Sequence, residues 1–262
     1  MAVVQSVGAA GLAAPPVRTP PPRTRLPLRL VGYLAMLLAV VIIGAPMYWM
    51  VTAAFKTNRE IYTIPPTWFP VHPTMDNFAI AWHTAPFGQF FVNSIVVTAF
   101  ITLGKMLNAV LCGYAFAYLN FPRKNLIFVL VLCALMIPEE ITILPNYLTV
   151  ANLGWVNTYM GLIIPSFGSA FGTFLMRQHF LSLPREVLEA AEVDGATDLQ
   201  ALWSVVLPMS RPVLATLLLL TVVRSWNEFL WPLIVTNSAN MRTLPIGIFT
   251  LFQQEGVTVW GR

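Results

Sequence analysis

The chain has 262 residues, of which 57% are hydrophobic and only 10% are charged. Soluble globular domains carry about 25% charged residues, so this composition excludes an ordinary soluble domain and fits a membrane protein. Fifteen basic residues against eleven acidic ones leave a net charge of +4, and the placement of the excess base suits membrane topology better than nucleic-acid binding.

Residues 1–29 are basic and rich in proline, with Arg18, Arg23, Arg25 and Arg29 among the prolines. A disordered tail is expected there. The apolar run Leu30–Phe55 follows. It is too long for the roughly 7–15-residue core of a signal peptide. As a helix it extends about 39 Å, enough to cross a bilayer with tilt. It reads as the first span, with Pro46 a candidate kink. Lys56 to Gly88 is polar, aromatic and proline-rich and reads as an extended external loop.

Four more spans follow, over 89–119, 126–147, 157–180 and 211–235. Asn120 to Asn125 makes a tight basic turn between the second and third. The third is broken by Pro138 beside Glu139 and Glu140. Pro212 can open the fifth. From Thr236 to Arg262 no further run is long enough to cross. Cys112 and Cys133 sit in apolar runs without metal-binding spacing and read as small core residues. His72, His83 and His179 are scattered, so no metal site is expected.

The positive-inside rule orients these spans. Nine basic residues (Arg18, Arg23, Arg25, Arg29, Arg123, Lys124, Arg177, Arg185 and Arg211) fall on one side, and Lys56, Arg59 and Arg242 on the other. The nine-residue side is cytoplasmic, which places the N-terminus inside.

Between the fourth and fifth spans lies a segment of different character, 182–208. Ser182 can cap a first helix, with Pro184 in its first turn. That helix should run to about Asp194, where Gly195 stops it by reaching left-handed geometry without strain. Thr197 with Gln200 three residues on is a capping-box pattern that starts a second helix. Leu199, Leu202, Trp203 and Val206 predict one apolar stripe, and Pro208 predicts its end. The other side carries Glu186, Glu189, Glu192, Asp194 and Asp198. A bent helix pair with one greasy and one acidic side is either an interfacial connector or a docking element.

Glu189-Ala190-Ala191, three residues, Gly195, nine residues, Val205, one residue, then Leu207-Pro208 resemble the EAA loop. That loop marks the permease subunits of binding-protein-dependent ABC importers; isoleucine is usual where this chain has Val205. Asn93-Ser94, Tyr114 to Ala117, Ser225 to Leu233 and Thr243-Leu244-Pro245 resemble the carbohydrate-uptake branch of that family. Within it, Ile101 to Lys105 and Thr173 to Pro184 are most similar to the glycerol-3-phosphate permeases.

The resemblance implies an all-α membrane domain over 30–262 and a cytoplasmic coupling helix that docks in a cleft of an ATPase. Glu189, Ala190, Ala191, Asp194, Gly195, Leu207 and Pro208 would form the coupling element, with Glu189 paired to a basic group of the ATPase. The family has six spans where five are visible here, so truncation is expected near Trp260. The implied partners are a second permease, two cytoplasmic ATPases that bind ATP and magnesium, an extracytoplasmic solute-binding protein and the bilayer of the bacterial cytoplasmic membrane. Nucleic acid is not among them.

Charges inside a span cost at least about 2.5–3.5 kcal/mol on insertion scales, so each needs a reason. Lys105 lies mid-span, and Asn93 opens the second span. Arg224 and Glu228 are four apart on the fifth, with Asn227 beside them. These residues either face a translocation pathway or form ion pairs and hydrogen bonds that fix packing. Glu139 and Glu140 read as solvated charge or as the pathway mouth.

The chain has no GxxxxGK[ST], GxSxG or HExxH, so no catalytic constellation and no cofactor are expected in it. The reading is a permease subunit importing glycerol-3-phosphate or a glycerophosphodiester, against uptake of a neutral sugar. A passive channel or a membrane enzyme is the rival from another class.

Overall fold

A computed structural model describes residues 26–254. Most of the expected basic tail lies outside them, but its last residues are already helical. The chain divides into two units, one up to Thr74 and one from Met75.

The first unit holds α1 (Leu26–Ala54) and α2 (Asn58–Ile61). Helix α1 runs through Pro46 and exposes apolar side chains along its length, among them Leu38, Ile42 and Met50. The loop after it is less extended than its composition suggests. Lys56 is buried, donates to the Thr67 carbonyl and lies 4.3 Å from the centroid of the Trp49 ring. The Glu60 carboxylate accepts from the backbone of Val71 and His72 at 3.3 and 2.8 Å. Buried lysine and paired carboxylate therefore organise a proline-rich stretch that has few backbone bonds of its own.

The second unit opens on α3 (Asp76–Thr84) and is built around α4 (Phe87–Ala117). At 31 residues, α4 extends roughly 46 Å. Next come α5 (Lys124–Ala134), α6 (Glu139–Asn152), α7 (Tyr159–Ile163) and α8 (Ala170–Leu181). The elbow segment holds α9 (Arg185–Val193), α10 (Asp198–Ala201) and α11 (Leu207–Met209). The chain ends in α12 (Arg211–Trp226), α13 (Leu230–Val235) and α14 (Leu244–Gln254).

Helix α4 packs against α8, α12 and α14. Small residues let α4 and α8 approach closely. A Cβ on Gly113 would lie 2.7 Å from the Met176 Cβ, and one on Gly172 would lie 2.7 Å from the Ala109 Cβ. Two apolar clusters lie along α4. One joins Tyr114, Phe180, Leu202, Val206 and Leu217. The other joins Val97, Ile101, Leu162, Trp231 and Val235.

Of the five expected spans, only those of α1 and α4 are unbroken helices long and apolar enough to cross. The third bends by 98° between α5 and α6, and the fourth by 41° before α8. Pro138 is the N-cap of α6 and denies a continuous helix there. The fifth was expected over 211–235, but α12 stops at Trp226 and helix resumes only at Leu230. The described part of the tail carries α14, which at 11 residues is too short to cross; its Ile246 is buried and its Gly247 lies against the Phe90 ring.

Candidate functional site

The elbow segment corrects several local expectations. Ser182 does not start α9. It terminates α8, and its hydroxyl donates to the His179 carbonyl at 2.6 Å. Pro184 is the N-cap of α9 rather than a first-turn residue. Gly195 has φ +76°, and its N–H donates to the Glu192 carbonyl at 3.0 Å. The Ala196 N–H bonds back to the Ala191 carbonyl at 3.0 Å, which closes the α9 terminus. Thr197 and Gln200 form the reciprocal capping box, with the Thr197 N–H 2.8 Å from the Gln200 Oε1.

The expected stripe splits. Residues 202–206 take a π-helical turn. Leu202 and Val206 are buried while Leu199 and Trp203 are 61% and 54% exposed. Pro208 does not end this helix, which runs on to Met209 and breaks at Ser210. The helix over 198–209 and α12 then meet at 84°.

Leu202 and Val206 anchor the elbow to the α4–α8 core, and Ala191 and Ala201 are buried as well. Glu189, Ala190, Asp194, Gly195 and Pro208 are exposed, and Leu207 is half-buried. Val193, at 87% exposed, stands with Leu199 and Trp203 on the outside. Exposed apolar side chains and carboxylates on one short segment have the composition of a protein-docking surface. The sequence pattern counts Leu199 and Trp203 with Leu202 and Val206 in one stripe, whereas the fold buries only the latter pair.

A second feature is an open cavity of about 490 Å³. Lys105 from α4, Glu139 and Glu140 from α6, and Asn227 and Glu228 from the break after α12 line it. The first turn of α6 is a favourable place for two carboxylates, facing the positive helix end. Lys105 lies in the field of Glu139, Glu228 and Arg224. Arg224 is exposed and is not part of the cavity wall. The anticipated helical pairing of Arg224 with Glu228 is absent because α12 ends between them. Glu228 turns forward instead, and its carboxylate accepts from the Trp231 N–H at 3.4 Å. Asn227 closes α12, its Nδ2 donating to the Val223 carbonyl at 2.8 Å.

Asn93 lies apart from this cavity and is fully buried. Its Nδ2 donates to the carbonyls of Asn240 and Arg242 at 2.7 and 2.9 Å. Its Oδ1 accepts from Gln89 at 2.9 Å and from the Tyr159 hydroxyl at 2.6 Å.

The family profile described as binding-protein-dependent transport system inner membrane component matches residues 109–257. The elbow, the cavity residues after α12 and most of the core lie within that range. The chain belongs to this family. It is an inner-membrane permease. It is 37% identical over 237 residues to the sn-glycerol-3-phosphate transport system permease protein UgpE of Yersinia enterocolitica, covering 88% of this chain and 84% of that one. The corresponding protein of Pectobacterium atrosepticum is 34% identical over 242 residues, with 90% and 86% covered. The permease also shares its fold with a solved bacterial ABC transporter involved in the import of the acidic polysaccharide alginate. There the TM-score is 0.80 at 22% identity, with 90% of this chain and 82% of that chain covered.

Proposed function

We propose that this permease carries glycerol-3-phosphate or a glycerophosphodiester inward as one subunit of an ATP-driven importer. The observation that carries the reading is the 37% identity, across nearly the whole chain, to a permease named for that solute. The partners are a second permease, two ATPases that bind ATP and magnesium, and an extracytoplasmic binding protein. The N-terminus and the elbow face the cytoplasm, in keeping with the nine basic residues on that side.

In this scheme the elbow docks on an ATPase through Glu189, Ala190, Asp194 and Gly195, with Val193, Leu199 and Trp203 adding apolar contact. Ala191, Leu207 and Pro208 join that surface to the core and to the bend at Ser210. ATP-driven closure of the ATPases moves the elbow, and the spans switch from inward-facing to outward-facing. The 490 Å³ cavity is the solute's way through. Lys105 is its phosphate contact, and Arg224 adds positive field from nearby. Asn227 and Glu228 meet the glycerol hydroxyls. Asn93 holds the wall rather than the solute.

One ammonium among three carboxylates leaves the wall net negative, so an anion is held at Lys105 alone, and weakly. Such a site suits passage, since a tightly held solute would leave slowly. The same carboxylates favour a second reading, uptake of a neutral sugar, because they accept well from sugar hydroxyls. Reconstituting the complex with its binding protein in ATP-loaded proteoliposomes tests both. Uptake of labelled glycerol-3-phosphate, competed by glycerophosphodiesters and not by neutral sugars, is the expected result. Competition by a neutral sugar alone would overturn it in favour of the second reading.

A further inference from the structure

Beside the open cavity lies a much smaller space of about 10 Å³, walled in part by Thr98, Ser225, Glu228, Trp231 and Thr243. Glu228 and Trp231 line both spaces and so stand between them. The hydroxyls of Thr98, Ser225 and Thr243 are buried and have no hydrogen-bond partner among the described residues. The three residues are 6%, 8% and 4% exposed. They come from three separate segments: mid-α4, the last turn of α12, and the residue before α14.

A buried hydroxyl normally finds a partner, and a helical one has an easy choice in the carbonyl four residues back. This chain uses that choice elsewhere. Thr221 donates to Leu217 at 2.7 Å, Ser210 to Val206 at 2.6 Å and Thr236 to Pro232 at 2.7 Å. Ser225, one turn beyond Thr221 on the same helix, does not, and neither does Thr98. Thr102 of α4 is also without a partner, but it does not line this space; Thr98 and Ser225 do, and a third such hydroxyl, that of Thr243, joins them there. Ser94 also lines the space, but its oxygen is engaged by the Leu244 N–H at 2.8 Å.

A water molecule needs roughly 10–15 Å³ and two to four polar partners. We propose that this space is a water-binding site, in which one ordered water bridges the hydroxyls of Thr98, Ser225 and Thr243. The water ties the broken end of α12 to α4 and to the start of α14. Its bonds re-form after small shifts, as interdigitated side chains cannot. The break at 227–229 is thereby held in place yet left free to pivot, and Glu228 with Trp231 screens the water from the open cavity.

The test uses the assembled importer in nanodiscs and the variants Thr98→Val, Ser225→Ala and Thr243→Val. The two valine changes keep shape and remove only the hydroxyl. If the water is there, each variant strands it and its remaining partners, and the unfolding temperature falls by roughly 2–4 °C. Combining Thr98→Val with Thr243→Val should then cost less than the sum, because both act on one water. If the space is dry, removing an unpaired hydroxyl relieves a cost, and the temperature rises or stays put. That outcome overturns the proposal. A high-resolution map of the unaltered complex decides independently of folding. A density peak within hydrogen-bond reach of all three oxygens is expected. Its absence, or direct bonding of these hydroxyls to protein carbonyls, overturns the site.

Discussion

The Asn93 Nδ2 lies 2.9 Å from the Arg242 carbonyl oxygen, a bond between residues 149 positions apart. With the bonds to Asn240, Gln89 and Tyr159, it makes Asn93 a fully satisfied buried amide that fastens the segment before α14 to α4. Substituting Asn93→Leu strands two carbonyls and a tyrosine hydroxyl. Each stranded buried group costs about 1–3 kcal/mol. We expect a marked fall in the unfolding temperature of the purified complex. Surviving transport should keep an unchanged KM, because the amide fastens the wall and does not meet solute. A raised KM at unchanged stability would contradict this.

Gly195 has a left-handed φ of +76° and open space where a Cβ would stand. The demand is therefore conformational, not steric crowding by neighbours. Gly195→Val should cost about 1–2 kcal/mol locally and distort the turn between α9 and α10. Gly195→Asn should be tolerated, since asparagine visits this geometry. Membrane insertion by protease accessibility should be normal for both, while solute uptake is lost in the valine variant alone. Equal uptake by the two would show that the turn does not transmit force.

Gly172 lies on α8 where a Cβ would meet Ala109 of α4 at 2.7 Å. Gly172→Val should push the two helices apart at a cost of about 1–3 kcal/mol, the usual penalty of overpacking. Reduced yield of assembled complex on size-exclusion chromatography is the expected readout. Gly168, with nothing within 4 Å of its would-be Cβ, is the matched control.

Among the described residues, Lys105 is the one cation that lines the cavity. A hydrogen bond to a charged group is worth about 1.5–3 kcal/mol, so Lys105→Met should slow uptake of a phosphorylated solute about tenfold or more. Lys105→Glu, which adds a fourth carboxylate to the wall, should slow it further. Measured rates for the two variants in proteoliposomes, at equal amounts of complex, check the order.

Much of this was legible in the sequence. The Thr197–Gln200 capping box and the stop at Gly195 follow from local chemistry, and local chemistry decides helix ends. The spans were legible as runs but not as shapes. Pro138 announced a break, whereas the one after Trp226 is marked only from a distance, by Pro232, which cannot bond back to the Glu228 carbonyl. The π turn at 202–206 was invisible because the pattern Leu199, Leu202, Trp203, Val206 fits an ideal helix perfectly well. The meeting of Lys105 with Glu139 and Glu228 joins three segments far apart in the chain. No periodicity reports such a meeting; only the packing of α4 with its neighbours creates it.

The joint at Ser210 has the geometry of a bell crank, two helical arms meeting at 84°. Its pivot is stiff, since Ser210 is completely buried and its hydroxyl is tied to the Val206 carbonyl at 2.6 Å. Its two arms stand nearly square, so a sideways nudge on one becomes a swing of the other. The arm from Arg211 to Trp226 has 16 residues and outreaches the one from Asp198 to Met209, so in the proposed scheme its tip would travel further. At that tip sit Asn227 and Glu228. In the proposed scheme, a stroke on the elbow would reach the residues that line the cavity through α12.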